Sequence, residues 1–91
     1  MAMRIFSTQG REFAALIILS DYNDYESMEV VEMTEGKRGE LLLEFRFDSN
    51  SARLSFIRPE VEIPLLRASL EIFREEFLEP RISGGLPYPP W

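Results

Sequence analysis

The run FAALIIL at residues 13–19 is the feature that most constrains the fold of this chain. All seven residues are apolar, and turn-forming or polar residues stand on either side of them. A segment this short between two turn signals favours a strand over a helix. A strand without alternation is apolar on both faces, so both faces need a cover. We therefore expect a sheet with a helix on one face, and with the C-terminal tail or a second copy of the protein on the other.

Four further short runs are rich in apolar and aromatic residues and are divided by turn signals. They are residues 3–6, 28–33, 40–47 and 53–57. Together with 13–19, they predict an antiparallel meander of about five strands. Glu29 and Glu32 interrupt the second of these runs, and charges of this kind are typical of strands that lie at the border of a sheet. We therefore expect residues 28–33 to form an edge or exposed strand.

The run at 40–47 alternates most clearly. One predicted face holds Leu41, Leu43, Phe45 and Phe47, and the other holds Leu42, Glu44 and Arg46. A period of two predicts that the first face packs on a core and the second faces water. The run at 53–57 follows a short polar turn and is expected to complete a hairpin. We expect Glu44 to pair with an arginine on a neighbouring strand.

From Glu62 onward the apolar spacing becomes that of a helix. The stripe consists of Leu66, Leu70, Phe73 and Phe77 at steps of four, three and four, with Leu65 and Ile72 beside it. Pro64 suits a first helical turn, and Pro80 ends the segment. The prediction is one α+β domain over residues 1–80, a five-stranded antiparallel β-meander followed by one long C-terminal α-helix packed on one sheet face. Residues 81–91 are an extended Pro-rich tail.

Residues 21–35 carry the whole excess of negative charge. The net charge is −6, and outside this segment the acidic and basic residues balance. Asp21, Asn23 and Glu32 match three ligand positions of a twelve-residue calcium loop, but Glu26 stands where that loop needs a glycine. The flanking residues also indicate strands rather than helices. We therefore expect no metal site in this segment.

Two interpretations of the acidic segment then remain open. The first is a solvated loop that leads into a strand with a polar face. The second is a docking surface for a basic protein, since the tyrosines add amphipathic contact area beside the charge. The candidate partner-binding residues are Asp21, Tyr22, Asp24, Tyr25 and Glu26.

The C-terminal tail also has several interpretations. It could be disordered, as many termini are, or it could be a ligand for a groove that binds proline-rich peptides, because Pro87 and Pro90 form a P-x-x-P pattern. Alternatively, Leu86, Tyr88 and Trp91 could pack on an exposed apolar face or on a neighbouring subunit. We favour this packing role, because exposed apolar patches rarely go unused.

Catalysis has little support in the sequence. The chain has no His and no Cys, which removes the commonest general base, the commonest zinc ligands and the thiol nucleophile. No serine stands in a G-x-S-x-G pattern. We therefore expect a protein that is not an enzyme and has no cofactor. The apolar runs are far shorter than the ~20 residues of a membrane span, and the N-terminus lacks the pattern of a signal peptide, so we expect a cytoplasmic location.

These observations favour a small non-catalytic protein-interaction module that forms a homodimer. One alternative is an acidic inhibitor or immunity-type protein that neutralises a basic toxin or nuclease. Another is a single-stranded nucleic-acid binder that uses the sheet as a platform, since aromatic rings beside arginines suit that chemistry. Its residues would be Phe45, Phe47, Arg46, Arg53 and Arg58. The acidic net charge argues against nucleic acid as the main partner.

Overall fold

The structure, a computed structural model, describes residues 2–18, 25–48 and 51–79. Five strands form one antiparallel sheet in which the spatial order follows the chain order. The strands are β1 (Ala2–Thr8), β2 (Arg11–Ile18), β3 (Tyr25–Thr34), β4 (Lys37–Asp48) and β5 (Ala52–Phe56). Helix α1 (Ile63–Phe73) follows and continues into a wider π-helical turn over Arg74–Leu78. The predicted meander and C-terminal helix are confirmed, while the tail at 81–91 lies outside the described residues.

Two of the connections are tight two-residue turns. The first joins β1 to β2 through Gln9 and Gly10, with φ of 54° and 72°, and the second joins β3 to β4 through Glu35 and Gly36, with φ of 53° and 76°. Positive φ at both central residues defines the hairpin turn whose twist matches that of the flanking strands. Glycine adopts this conformation without steric strain, so each turn has it at the second position.

Strand β3 lies in the centre of the sheet, between β2 and β4. The expectation of an edge or exposed strand at residues 28–33 is therefore wrong. The two acidic residues of this segment, Glu29 and Glu32, lie on a strand that is paired along both edges. Glu32 accepts two hydrogen bonds from the Arg11 guanidinium, with N–O distances of 2.8 and 3.1 Å, and Glu29 lies on the face away from the helix, as its pairing with Leu16 of β2 requires.

The alternation of β4 is broken by a bulge. Val30 of β3 pairs with Leu43, but the next residue, Val31, pairs with Leu41, so Leu42 is an extra residue on β4. On the far side of such an insertion, each side chain points to the face opposite to the one that strict alternation predicts. Leu42 and Leu43 both join the core on the helix side, and Leu41 packs on the opposite side. The predicted faces are thus right for Leu43, Phe45 and Phe47 and wrong for Leu41 and Leu42.

The main core fills the space between α1 and the sheet. Phe73 of the helix stacks on Phe45 of β4 and on Phe77 of the following turn, with ring centroids 4.9 Å apart in both pairs. Phe47 meets Phe73 and Phe77 edge to face, each at 6.2 Å. Offset and edge-to-face ring pairs stabilise a core beyond the burial of their area. This aromatic group fixes the C-terminal half of the helix over β4.

The helix is rotated relative to the predicted stripe. Leu65, Ser69 and Ile72 are buried against the sheet together with Phe73 and Phe77, whereas Leu70 is 45% exposed. The assignment of Leu70 to the core is therefore wrong. Because α1 is apolar over a wider sector than the sheet covers, Leu70 and Ile63 remain at the surface.

Ion pairs tie both ends of the helix to the sheet. Near its start, Arg11 contacts Glu62 at 3.0 Å as well as Glu32, and near its end, Arg4 of β1 contacts Glu76 at 3.3 Å. The hydrogen bond from Arg11 lowers the pKa of the Glu32 carboxyl below its ordinary value. These pairs are partly exposed, so each adds little stability.

Candidate interaction surface

Of the described elements, none packs on the side of the sheet away from α1, which we call the open face. This face is apolar on its β1 and β2 strands. Phe13, Ala15 and Ile17 of β2 point to the helix, and Ala14 and Leu16 point to the open face. All five are buried. The prediction that β2 is apolar on both sides is confirmed, and the open face holds a second hydrophobic cluster of its own.

Four apolar residues form a row across the open face. Ile5, Ala14, Val31 and Leu41 are successive partners on β1, β2, β3 and β4. Ala14 and Val31 are buried and Leu41 is half-buried, but Ile5, at the border of the sheet, is 46% exposed. The two central residues of the row are therefore buried, and Ile5 on β1 is the most exposed of the four.

A second row lies beside the first and changes character halfway. Met3 and Leu16 are its members on β1 and β2, and Met3 is 50% exposed while Leu16 is buried. The next members, Glu29 and Glu44, are carboxylates that stand directly opposite each other. We call the members of the two rows on β1 and β2, Met3, Ile5, Ala14 and Leu16, the β1 patch. On the β3 side, acidic Glu29 borders the patch in the second row, while apolar Val31 continues it in the first.

Glu44 was predicted to pair with an arginine on a neighbouring strand, and the structure shows a different partner. Its carboxylate accepts a hydrogen bond from Arg46, at 3.2 Å, two positions further along the same strand. Its partners on the neighbouring strands are Glu29 and Ser55. The expected arginine partner thus exists, but it lies on β4 itself. A like-charge pair such as Glu29 and Glu44 is unfavourable in a sheet, and Arg46 offsets that repulsion.

The outer edge of β1 borders the β1 patch. In the described ranges no strand pairs with this edge. Edge strands are ordinarily protected by charges, proline or short length. β5, at the opposite edge, has five residues, includes Arg53 and is soon followed by Pro59. β1 has seven residues and no proline, and its one charged residue, Arg4, is held on the helix side by Glu75 and Glu76.

No protein-family model, curated protein or solved structure matches this chain. The surface is therefore interpreted from its own residues. Sequence analysis did not single out Met3 and Ile5, although their spacing of two places them on one face of a strand. Their exposure becomes evident only once β1 is known to be an edge strand.

The residues predicted to bind a partner are placed only in part. Asp21, Tyr22 and Asp24 lie outside the described residues, as do Leu86, Tyr88 and Trp91 of the tail. Tyr25 is the first residue of β3, and Glu26 is half-buried and pairs with Phe47, which places it on the helix side. Because Glu29 lies on the open face, the acidic residues of β3 are divided between the two sides of the sheet. Docking of a basic protein on the acidic loop stays a prediction.

The residues suggested for stacking nucleic-acid bases are arranged differently from that suggestion. Phe45 and Phe47 are buried beneath α1, so their rings have no face open to a base. Arg46 and Arg53 are paired positions on the other side of the sheet, and Arg58 forms an ion pair with Glu40. The aromatic and basic groups thus lie on different surfaces, whereas stacking platforms combine them on one.

A second partly apolar region lies between the end of β5 and the start of α1. An open cleft of about 580 Å³ is lined there by Phe56, Val61 and Leu66 together with residues 58–60 and Glu62. Exposed Ile63 lies next to this cleft in the chain.

The described residues contain neither a metal-binding cluster nor a membrane-spanning helix. Across residues 2–18, 25–48 and 51–79, no three acidic side chains come close enough together to hold a metal ion. In the same ranges, no helix has the length and apolar character that crossing a membrane requires.

Proposed function

We propose that this chain is a small non-catalytic protein-interaction module that forms a homodimer through the β1 patch. The single observation that carries the proposal is the exposure of Met3 and Ile5, which lie beside the buried cluster of Ala14 and Leu16 at a sheet edge with which no described strand pairs. A contiguous apolar region beside an unpaired strand is typical of a protein-binding surface.

Charge favours a second copy at this surface. Two copies of a chain with a net charge of −6 repel each other over most approaches. β1 contains no acidic residue, and its one charged residue, Arg4, contacts both Glu75 and Glu76 of its own chain, so one negative charge remains beside the strand on the helix side. The strand itself therefore adds no acidic side chain to the repulsion between two approaching copies.

The energy of burial sets a further condition on the dimer. Complete burial of a Met or Ile side chain contributes about 1.5–3 kcal/mol, so burial of the exposed halves of Met3 and Ile5 in both copies contributes roughly 3–6 kcal/mol. Association costs about 4–15 kcal/mol of lost translational and rotational freedom. These two side chains alone would give weak association at best, so the dimer also needs directional contacts.

Light scattering coupled to gel filtration tests the proposal. The chain mass is 10.6 kDa, and at tens of micromolar we expect a species of twice that mass. Replacement of Ile5 by lysine places a charge in the middle of the β1 patch and should return the protein to the monomer. Leu70→Lys is the matched control, because Leu70 is exposed to a similar degree on the helix surface; it should remain dimeric.

The folded state of each variant is checked by far-UV circular dichroism. A wild-type monomer over the whole concentration range would refute the proposal. A dimer that Ile5→Lys leaves intact while Leu70→Lys dissociates it would move the interface to the helix surface.

A further inference from the structure

We infer that the two copies join by antiparallel pairing of β1 with β1, which would produce one continuous ten-stranded sheet. This inference rests on the proposed homodimer and specifies how it is built. Its basis is one seven-residue strand that combines exposed apolar side chains, an absence of acidic residues and an outer edge with which no other described strand pairs. Main-chain hydrogen bonds between edge strands supply the directional contacts that the exposed side chains lack.

The symmetry of a homodimer limits the possible pairings. Antiparallel pairing of two identical strands requires a two-fold axis perpendicular to the sheet, which keeps both helices on one side and both open faces on the other. Two residues that pair across the axis must point to the same side of the sheet. The axis therefore passes between two copies of the same residue, which is the central residue of the pairing. Arg4, Ile5 and Phe6 are the three central candidates in β1.

Ile5 satisfies the pairing best. It is the midpoint of Ala2–Thr8, so only this centre pairs all seven residues, whereas a centre on Arg4 or Phe6 pairs five. A centre on Arg4 would also set two guanidinium groups opposite each other, which is unfavourable. With Ile5 at the centre, Arg4 lies opposite Phe6 of the partner subunit and Met3 lies opposite Ser7 of the partner subunit.

This pairing also extends the apolar row of the open face. Ile5 is the outermost member of the row that continues through Ala14, Val31 and Leu41. Contact between Ile5 and Ile5 of the partner subunit joins the two rows into one that crosses the whole dimer. Glu29 and Glu44 lie two and three strands away from β1, so no two like charges stand directly opposite each other at the junction.

Disulfide trapping tests the arrangement directly, because the chain contains no cysteine and each introduced thiol is the only one present. Opposite Cα atoms in an antiparallel pair are about 4.5–5.5 Å apart, within the ~4.4–6.8 Å range of disulfides. Ile5→Cys should therefore form a covalent dimer under mild oxidation, on the order of tenfold faster than Leu70→Cys, since pairing holds its thiols at a high effective concentration.

A second pair of variants tests the register. In the proposed pairing, Met3 lies about 14 Å from Met3 of the partner subunit, four residues along the strand. Met3→Cys and Ser7→Cys should therefore each remain uncross-linked when alone, and a mixture of the two should form a mixed disulfide. Non-reducing electrophoresis and mass spectrometry identify the products, and light scattering reports the oligomeric state of each reduced variant.

The outcomes separate this inference from the proposed function. A dimer by light scattering, with Ile5→Cys no faster to cross-link than Leu70→Cys, would overturn β1 pairing while leaving a homodimer in place. A monomeric wild type would overturn both. Rapid cross-linking of Met3→Cys alone, with little for Ile5→Cys, would overturn the register centred on Ile5.

Discussion

The orientation of α1 can be tested by a pair of truncations at neighbouring positions. Ile72 is 5% exposed and belongs to the core between helix and sheet, whereas Leu70 is 45% exposed. Both side chains have four carbons, and both become alanine, so the pair compares burial at nearly constant chemistry. We expect Ile72→Ala to be much the more destabilising of the two.

The size of the difference follows from burial. Truncation of a buried Ile or Leu to Ala costs about 2–5 kcal/mol, because a cavity is left in addition to the lost transfer energy. Leu70 has lost only about half its surface to contacts, so its truncation should cost under about 1 kcal/mol, reduced further by the helix propensity of alanine. At ~0.05–0.15 kcal/mol per residue the whole domain has a stability of roughly 5–14 kcal/mol. Ile72→Ala would therefore remove a large fraction of it.

Urea denaturation followed by far-UV circular dichroism measures both values. With a denaturant slope of about 1–3 kcal/mol per molar, a loss of ~3 kcal/mol shifts the midpoint by roughly 1–3 M. The proteins are compared at one concentration, since a dimer makes the midpoint depend on concentration. If Leu70→Ala costs as much as Ile72→Ala, the helix packs with Leu70 inward and the described orientation is wrong.

Three further predictions concern single groups. Ser69→Ala should raise the free energy of unfolding by about 1 kcal/mol, because the Ser69 hydroxyl is fully buried and has no hydrogen-bond partner among the described residues; a loss measured by urea titration would show that the hydroxyl is bonded. Gly39→Ala should lower the melting temperature, at a cost of about 1–3 kcal/mol, because the new Cβ would lie 3.0 Å from the Glu32 carbonyl oxygen; an unchanged value would contradict that close approach. The pKa of the Glu32 carboxyl is lowered by its hydrogen bond with Arg11, so its stabilising effect is complete at neutral pH and is lost as the pH falls through the lowered folded-state value. Unfolding curves at pH 7 and about pH 3 should therefore show wild type losing more stability than Glu32→Gln, and equal losses would count against the ion pair.

The wrong assignments from sequence have a common physical origin. Leu70 was placed in the core because Leu66, Leu70, Phe73 and Phe77 form an unbroken apolar stripe, while the true buried side includes a serine. A periodicity argument assigns polar residues to the surface. Because Ser69 is buried, that argument predicts the wrong rotation of the helix. The helix is positioned by contacts with residues far along the chain, such as the stacking of Phe73 on Phe45.

The predictions on β3 and β4 failed for a related reason. β3 was taken for an edge strand because of its charges, but Arg11, 21 residues earlier in the chain, neutralises Glu32 inside the sheet. On β4, strict alternation predicts that Leu41 faces the core beneath the helix, whereas the bulge at Leu42 turns it to the opposite side. Neither the distant partner nor the extra residue has a local signature in the sequence. For the candidate site, the two-sided character of β2 was evident from sequence, but the exposure of Met3 and Ile5 was not.

The sequence by itself determined the series of elements in this protein. The strands, the turns that contain glycine and the helix that begins at a proline follow from backbone sterics and from the spacing of apolar residues. Both of these depend only on residues that are close in the chain. Tertiary structure alone decided the rotation of the helix, the bulge in β4, the partners of the charges and the border position of the β1 patch. These features depend on which distant residues pack together, and that information resides in contacts between elements rather than in any one of them.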